Sequence, residues 1–189
     1  MKKLWAGCLA LSLFFSFTSS PHRVFYFVIP DSLNPWVFVS LPEQRSHVGH
    51  VRSLMNRIPP DASVAAPTYL VPPMSSRRAI IRLPWTEIID DSGETKPADY
   101  LFSDTWRLRR YQKAFKKERG ELQGTVAIFD KKLTDQSYGI VGLEDGAALL
   151  QRGVPSNPDY LQGWLDLRQE LLPLISPDDP DNSADGQAS

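Results

Sequence analysis

Apolar residues follow different spacings along this chain, and the changes in spacing mark its elements. Met1-Lys2-Lys3 and a run from Leu4 to Ser20 have the charged start and apolar middle of an export signal or membrane anchor. The run is about 17 residues, against the roughly 20 of a spanning helix. Val24–Ile29 and Trp36–Val39 are aromatic, continuous apolar patches bounded by prolines, suited to a membrane interface or an edge strand. From Pro42 the stripe Val48, Val51, Leu54, Met55 and Ile58 predicts a helix. Pro59 and Pro60 end it, because proline lacks the N–H and clashes with the preceding turn.

Ser63–Ala66 is short and apolar enough for a strand buried on both faces, and the β-branched run Ala79–Leu83 predicts a second. Between them Thr68 is expected to cap one helical turn, Tyr69–Val71, cut off by Pro72 and Pro73. Trp85–Ile89 extends or follows the second strand, residues 90–97 read as a polar loop, and Tyr100–Ser103 is a third strand ending at Asp104. Trp106–Arg119 is expected to form one basic amphipathic helix stopped by Gly120. Leu122–Thr134 follows as a helix with Val126, Phe129 and Leu133 inward. Two apolar runs meet at Asp145-Gly146, the dipeptide favoured by a type I′ turn, which predicts a β-hairpin over 138–153. A last helix, Tyr160–Ile175, has Tyr160, Leu161, Trp164, Leu165, Leu167, Leu171 and Leu172 as its apolar face. The expectation is a small three-layer α/β domain with a β-hairpin, preceded by one N-terminal membrane helix. Residues 1–20 are the anchor or signal, 21–57 a connecting segment with a helix, 58–176 the α/β domain, and 177–189 a disordered acidic tail.

Composition adds constraints. With 189 residues and 42% hydrophobic content the chain supports one core of ordinary size. Its 16 prolines crowd the first half, which must be short pieces joined by stiff turns, leaving long helices to the second. The net charge of −1 includes Asp178, Asp179, Asp181 and Asp185 of the tail, so the body is mildly basic, too weakly to argue for nucleic acid. Cys8 is the single cysteine, which excludes an intrachain disulfide and a thiolate metal cluster. His47 and His50 stand three residues apart without a third ligand nearby, so no metal is expected there, and no cofactor motif is present.

Candidate chemistry is sparse. Asp90 and Asp91 are adjacent carboxylates of a type that holds a divalent cation, and a solvated turn explains them as well. Asp104 ends a strand, where ligands collect in open α/β sheets, and also suits a helix cap. The cations Arg77, Arg78, Arg82, Arg109, Arg110, Lys113 and Lys117 are candidate anion or lipid contacts. For an exported domain held at a bilayer, anionic head groups or a lipid-linked phosphate fit them better than nucleic acid. By the positive-inside rule Lys2 and Lys3 stay cytoplasmic and everything from Pro21 onward is extracytoplasmic, or secreted if the leader is cleaved.

The segments Ile58–Ala66, Leu70-Val71-Pro72, Ser76-Arg77 and Leu83-Pro84, then Ala98–Asp104, Tyr138–Val141 and Asp145–Arg152, together resemble the carboxyl-terminal exported region of a multi-span predicted membrane protein family, the domain-of-unknown-function family twenty-seventy-nine. Its members look like relatives of membrane glycosyltransferases that use lipid-linked sugars. The resemblance implies a last spanning helix with a terminal domain; the early loop that carries the catalytic carboxylate in such enzymes has no counterpart here. The family pattern places histidine after Leu-Val-Pro, where this chain has Pro73. The first reading is therefore a membrane-anchored, non-catalytic accessory or recognition module, with membrane lipid, a lipid-linked sugar phosphate or separately encoded membrane helices as partners. Its rivals are a truncated or split transferase, with Asp90, Asp91 or Asp104 as base or metal ligand, and a secreted binding domain.

Overall fold

The computed structural model describes residues 5, 7–13, 39–89, 92–112 and 116–175. The patches at 24–29 and 36–38, Asp90, Asp91, Lys113 and the tail 177–189 lie outside them, as does most of the leader. Among the described residues no helix is long and apolar enough to cross a membrane, so the membrane helix expected over 1–20 has no support there. The chain forms two compact units, Met1–Gly49 and His50–Ser189. In the first, residues 7–13 are helical, with Leu9, Leu11 and Leu13 exposed, while Val39 and His47 are buried. Helix α1, Leu41–Asn56, begins in this unit and ends in the second.

The second unit is built on a 5-stranded sheet in the order β2-β1-β5-β7-β6. Its strands are β1 (Val64–Ala66), β2 (Ile80–Arg82), β5 (Tyr100–Asp104), β6 (Tyr138–Glu144) and β7 (Ala147–Arg152). β2, β1 and β5 run parallel, whereas β7 pairs antiparallel with both β5 and β6. A separate antiparallel ribbon joins β3 (Glu87–Ile89) to β4 (Thr95–Pro97). The expected polar loop at 90–97 thus contains a strand; Thr95-Lys96-Pro97 is exposed throughout, so no apolar alternation announced it.

Successive strand residues point to opposite faces, and here both faces are covered. Val64, Ala66, Tyr100, Phe102, Ala147 and Leu149 pack with Val51 and Leu54 of α1, with Ile58 just after it, and with Leu70 and Met74 of two 3₁₀ turns, Thr68–Leu70 and Pro72–Met74. Ala65, Leu101, Ile140, Ala148 and Leu150 pack on the other side. Their partners come from α2 (Thr105–Tyr111), α3 (Lys116–Thr134) and α4 (Pro158–Ile175). The result is the expected three layers, with every residue of β1 and β5 buried. A bulge between Ile140 and Gly142 lets Val141 turn toward the α1 side while Leu143 returns to the other. The Phe129 and Trp164 rings, 5.3 Å apart, join α3 to α4, and Asp130 accepts from Trp164 Nε1 at 3.1 Å and from Arg168 Nε.

Several local expectations change. The first 3₁₀ turn is capped from Pro67 without a side-chain bond, so Thr68 is its first residue and not its cap. Pro72 and Pro73 do not stop the turns; they occupy the opening positions of the second one, where a missing N–H costs nothing. The basic helix ends after Tyr111, and Lys117 to Arg119 belong to α3. Gly120 lies inside α3, lacking the positive φ of a glycine stop. Val48, Leu165 and Leu172 are exposed, each 41% or more, at the borders of otherwise buried stripes. The β6–β7 hairpin is as expected: Asp145 and Gly146 take φ of 46° and 78°. Gly146 O then accepts from the Thr105 backbone N–H and hydroxyl at 2.9 and 2.8 Å, seating the turn on the start of α2.

A Cβ on Gly139 would lie 2.2 Å from Val154 O and 2.5 Å from Pro155 C, both backbone atoms. Gly139→Ala is expected to cost about 1–3 kcal/mol, read as a lower denaturant midpoint. Tyr138 is buried and donates to Ala98 O at 2.6 Å. Burial, opposed by the nearby Arg152 charge, pushes its pKa up to about 12. The neutral phenol is therefore favoured by folding. Its contribution is complete below about pH 10, where the unfolded tyrosine titrates, and is lost as pH rises toward the folded value. Tyr138→Phe should remove that part of the alkaline loss, measured as unfolding free energy against pH.

Candidate functional site

With both faces of the sheet covered, the open ground is at the strand ends. Pro67 and Thr68 follow β1, Leu83 and Pro84 follow β2 through a cis peptide bond, and α2 follows β5. These carboxyl ends and α3 enclose a cleft of about 340 Å³. Open α/β sheets offer ligands this position. Pro67, Leu83, Pro84, Leu108 and Ile128 make its apolar lining, Thr68 and Thr125 add hydroxyls, and Arg82, Lys117 and Glu121 supply charge.

The wall contributed by α3 is low. Gly120 and Gly124 lie one turn apart on it, and a Cβ built on either meets nothing within 4 Å. Glycine inside a helix costs up to about 1 kcal/mol relative to alanine, and no packing contact demands it here. What the two glycines maintain is space, and with it access to the helix backbone. Arg82 is exposed and makes no ion pair among the described residues. Lys117 is 82% exposed and stands 3.8 Å from Glu121 one turn on. The cleft thus carries one more positive charge than negative.

Of the residues predicted from sequence, Arg82 and Lys117 meet here. Arg77 does not: its guanidinium donates to Ile58 O at 2.8 Å, to Met55 O at 3.4 Å and to Pro59 O, closing the carbonyl end of α1. Arg109 bridges to Glu170 of α4 at 2.8 Å, and Arg110 stacks over the Trp106 ring at 4.5 Å. Arg109 thus ties α2 to α4, and Arg110 packs within α2 itself. Arg78 lines a second space, about 290 Å³, at the opposite end of the sheet with Lys96, Arg152, Asp61 and Asp99. There burial raises the Asp99 pKa, but hydrogen bonds from the Ser63 hydroxyl and N–H at 2.7 and 3.1 Å and the Arg152 charge outweigh it, holding the carboxyl below its ordinary range. Asp99 in this way locks the start of β5 to the start of β1.

Asp104 is 4% exposed, and its Oδ1 accepts from Trp106 N at 3.0 Å, so it caps α2 as its sequence position suggested. Its backbone oxygen accepts from Tyr69 at 2.6 Å. Burial first, then the Asp104 charge, raises the Tyr69 pKa well above the usual tyrosine value, and this phenol stays protonated. Arg107, which the charge run contained without distinguishing, lies over the rings of Tyr69 and Tyr111 at 4.8 and 5.2 Å. No group of three or more His, Cys, Asp or Glu able to hold a metal ion occurs among the described residues. His50 instead joins Ser53 and Arg57 around Glu144.

Sequence reasoning missed Gly124, Thr125 and Ile128. Each looks like an ordinary position of an amphipathic helix; the single local signal was a second glycine one turn after Gly120. Against known families, residues 1–149 match a family model described as "Predicted membrane protein (DUF2079)". The cleft lies within that span, and α4 lies beyond it. No curated protein and no solved structure matches.

Arg77 is structural in this arrangement. Arg77→Gln should lower stability by about 1.5 kcal/mol through lost charge-assisted hydrogen bonds, with ligand affinity of the folded protein unchanged; denaturant titration and calorimetry check the two halves.

Proposed function

Because the chain belongs to the DUF2079 family of predicted membrane proteins, we propose that its second unit is a membrane-associated, non-catalytic recognition domain for a phosphate-bearing amphiphile. The observation that carries this reading is the cleft at the carboxyl ends of β1 and β2, apolar within and cationic at Arg82 and Lys117. A guanidinium fork suits phosphate oxygens, and such charge-assisted bonds are among the stronger ones. The apolar lining suits the first carbons of an attached chain.

Recognition is favoured over turnover by where the carboxylates sit. Asp104 is committed to capping α2, and Glu121, the carboxylate in the cleft lining, faces Lys117 at 3.8 Å. General acid–base catalysis needs a group placed to exchange a proton with substrate, and Asp104, buried and capping α2, is not so placed. On this reading the domain stands on the extracytoplasmic side, as the accessory part of a membrane protein related to glycosyltransferases that use lipid-linked sugars. A lipid-linked sugar phosphate and a phospholipid head group share the chemistry the cleft selects.

The test uses the full chain reconstituted in phosphatidylcholine nanodiscs and titrated with hexyl phosphate, inorganic phosphate and hexanol. Hexyl phosphate should bind most tightly of the three. Arg82→Gln with Lys117→Gln should weaken it at least tenfold, or about 1.4 kcal/mol. Gly124→Leu should abolish it by filling the cleft, while helix propensity keeps the unfolding midpoint from falling. Undiminished hexyl phosphate binding in both variants would end this reading.

A further inference from the structure

From Trp85 to Ile89 exposure alternates with a period of two. Trp85, Glu87 and Ile89 are exposed, whereas Thr86 and Ile88 are half-buried. The odd positions therefore run along one side of β3 and the residues before it, from Trp85 at the cleft end to Ile89, which borders the second space at the amino ends of the strands. Trp85 is 68% and Ile89 74% exposed, well above the 41% of Leu165 and Leu172 on α4. Trp85 N donates to Arg82 O at 3.1 Å, closing the turn whose residues Arg82, Leu83 and Pro84 line the cleft. Trp85 thus stands directly beyond the cleft, next in sequence to its lining.

We propose that this exposed face docks on the interfacial layer of an anionic bilayer, so that the cleft takes its phosphate from a lipid and not from solution. The inference rests on the recognition reading above and names the source of its ligand. Size argues against a second copy of the chain. A tryptophan brings about 150–250 Å² to an interface, and with one isoleucine the patch falls short of the roughly 800 Å² per partner of a stable protein interface. A bilayer sets no such threshold, and the family is described as one of predicted membrane proteins. Tryptophan also prefers the head-group level, where an indole has both apolar and polar neighbours. Glu87, between the two apolar side chains, keeps the docking shallow. Exposed Arg82 and Lys117, in the cleft at the Trp85 end of this face, complement anionic head groups.

Cys8 is the single cysteine, so a Cys8→Ser background accepts one label. The full chain in nanodiscs of phosphatidylcholine and phosphatidylglycerol is labelled with an environment-sensitive fluorophore through Glu87→Cys, which leaves Trp85 and Ile89 in place. Gln162→Cys, on the exposed side of α4, is the comparison site. Lipids bearing a shallow nitroxide should quench the label at 87 more than the label at 162. Trp85→Ser with Ile89→Ser should erase that difference while hexyl phosphate affinity is retained, which separates this inference from the cleft itself. Equal quenching at the two sites overturns it. So does shielding of position 87 from a water-borne quencher without lipid quenching, the sign of a second copy or another protein on the patch.

Discussion

The architecture depends on one constraint: β1 and β5 are buried along their whole length, so helices must cover both faces of the sheet. Val64, Ala65 and Ala66 satisfy it with small side chains, which let the layers approach closely over a short strand. Ile140 and Leu150, with Leu101, pack against α3 and α4, and Phe102 and Leu149 against α1. Because the faces are occupied, a binding space bordered by the sheet forms at its strand ends. At the amino ends Asp99, Ser63 and Arg152 are tied to one another. At the carboxyl ends the connections diverge and α3 crosses with two glycines, leaving the cleft.

Much of this was legible because the signals were local. Asp145-Gly146 specifies a turn by its own backbone preferences, and both residues adopt the positive φ that such a turn needs. The strand at Ser63–Ala66 was legible as a run too apolar to alternate, which is what two-sided burial leaves in a sequence. The failures were non-local. Thr95-Lys96-Pro97 becomes a strand only because β3 lies beside it. The charge run from Arg107 to Arg119 looked continuous, yet it is divided between two helices that bury different stripes.

The candidate site was half legible for a related reason. Positive charge can be found in a sequence, but its employment cannot. Arg77, Arg109 and Arg110 are held by carbonyls, a glutamate and an indole respectively, while Arg82 makes no ion pair among the described residues. In the sequence Gly120 reads as punctuation, because glycine is the residue most often found just past a helix end. Inside α3 it serves the opposite purpose, since an uninterrupted helix with a missing side chain is what leaves room beside Thr125.

The outer margin of β6 carries a further meaning. Ile140 donates outward to Ser156 Oγ at 3.2 Å and accepts from Asn157 N at 2.9 Å, while Val154 and Pro155 press against Gly139. At Ile140 the outward N–H and carbonyl are thus both taken, and an edge position without free groups cannot template another strand. The chain after β7 therefore acts as a selvedge at this point of β6, denying a second strand the pairing it would need there.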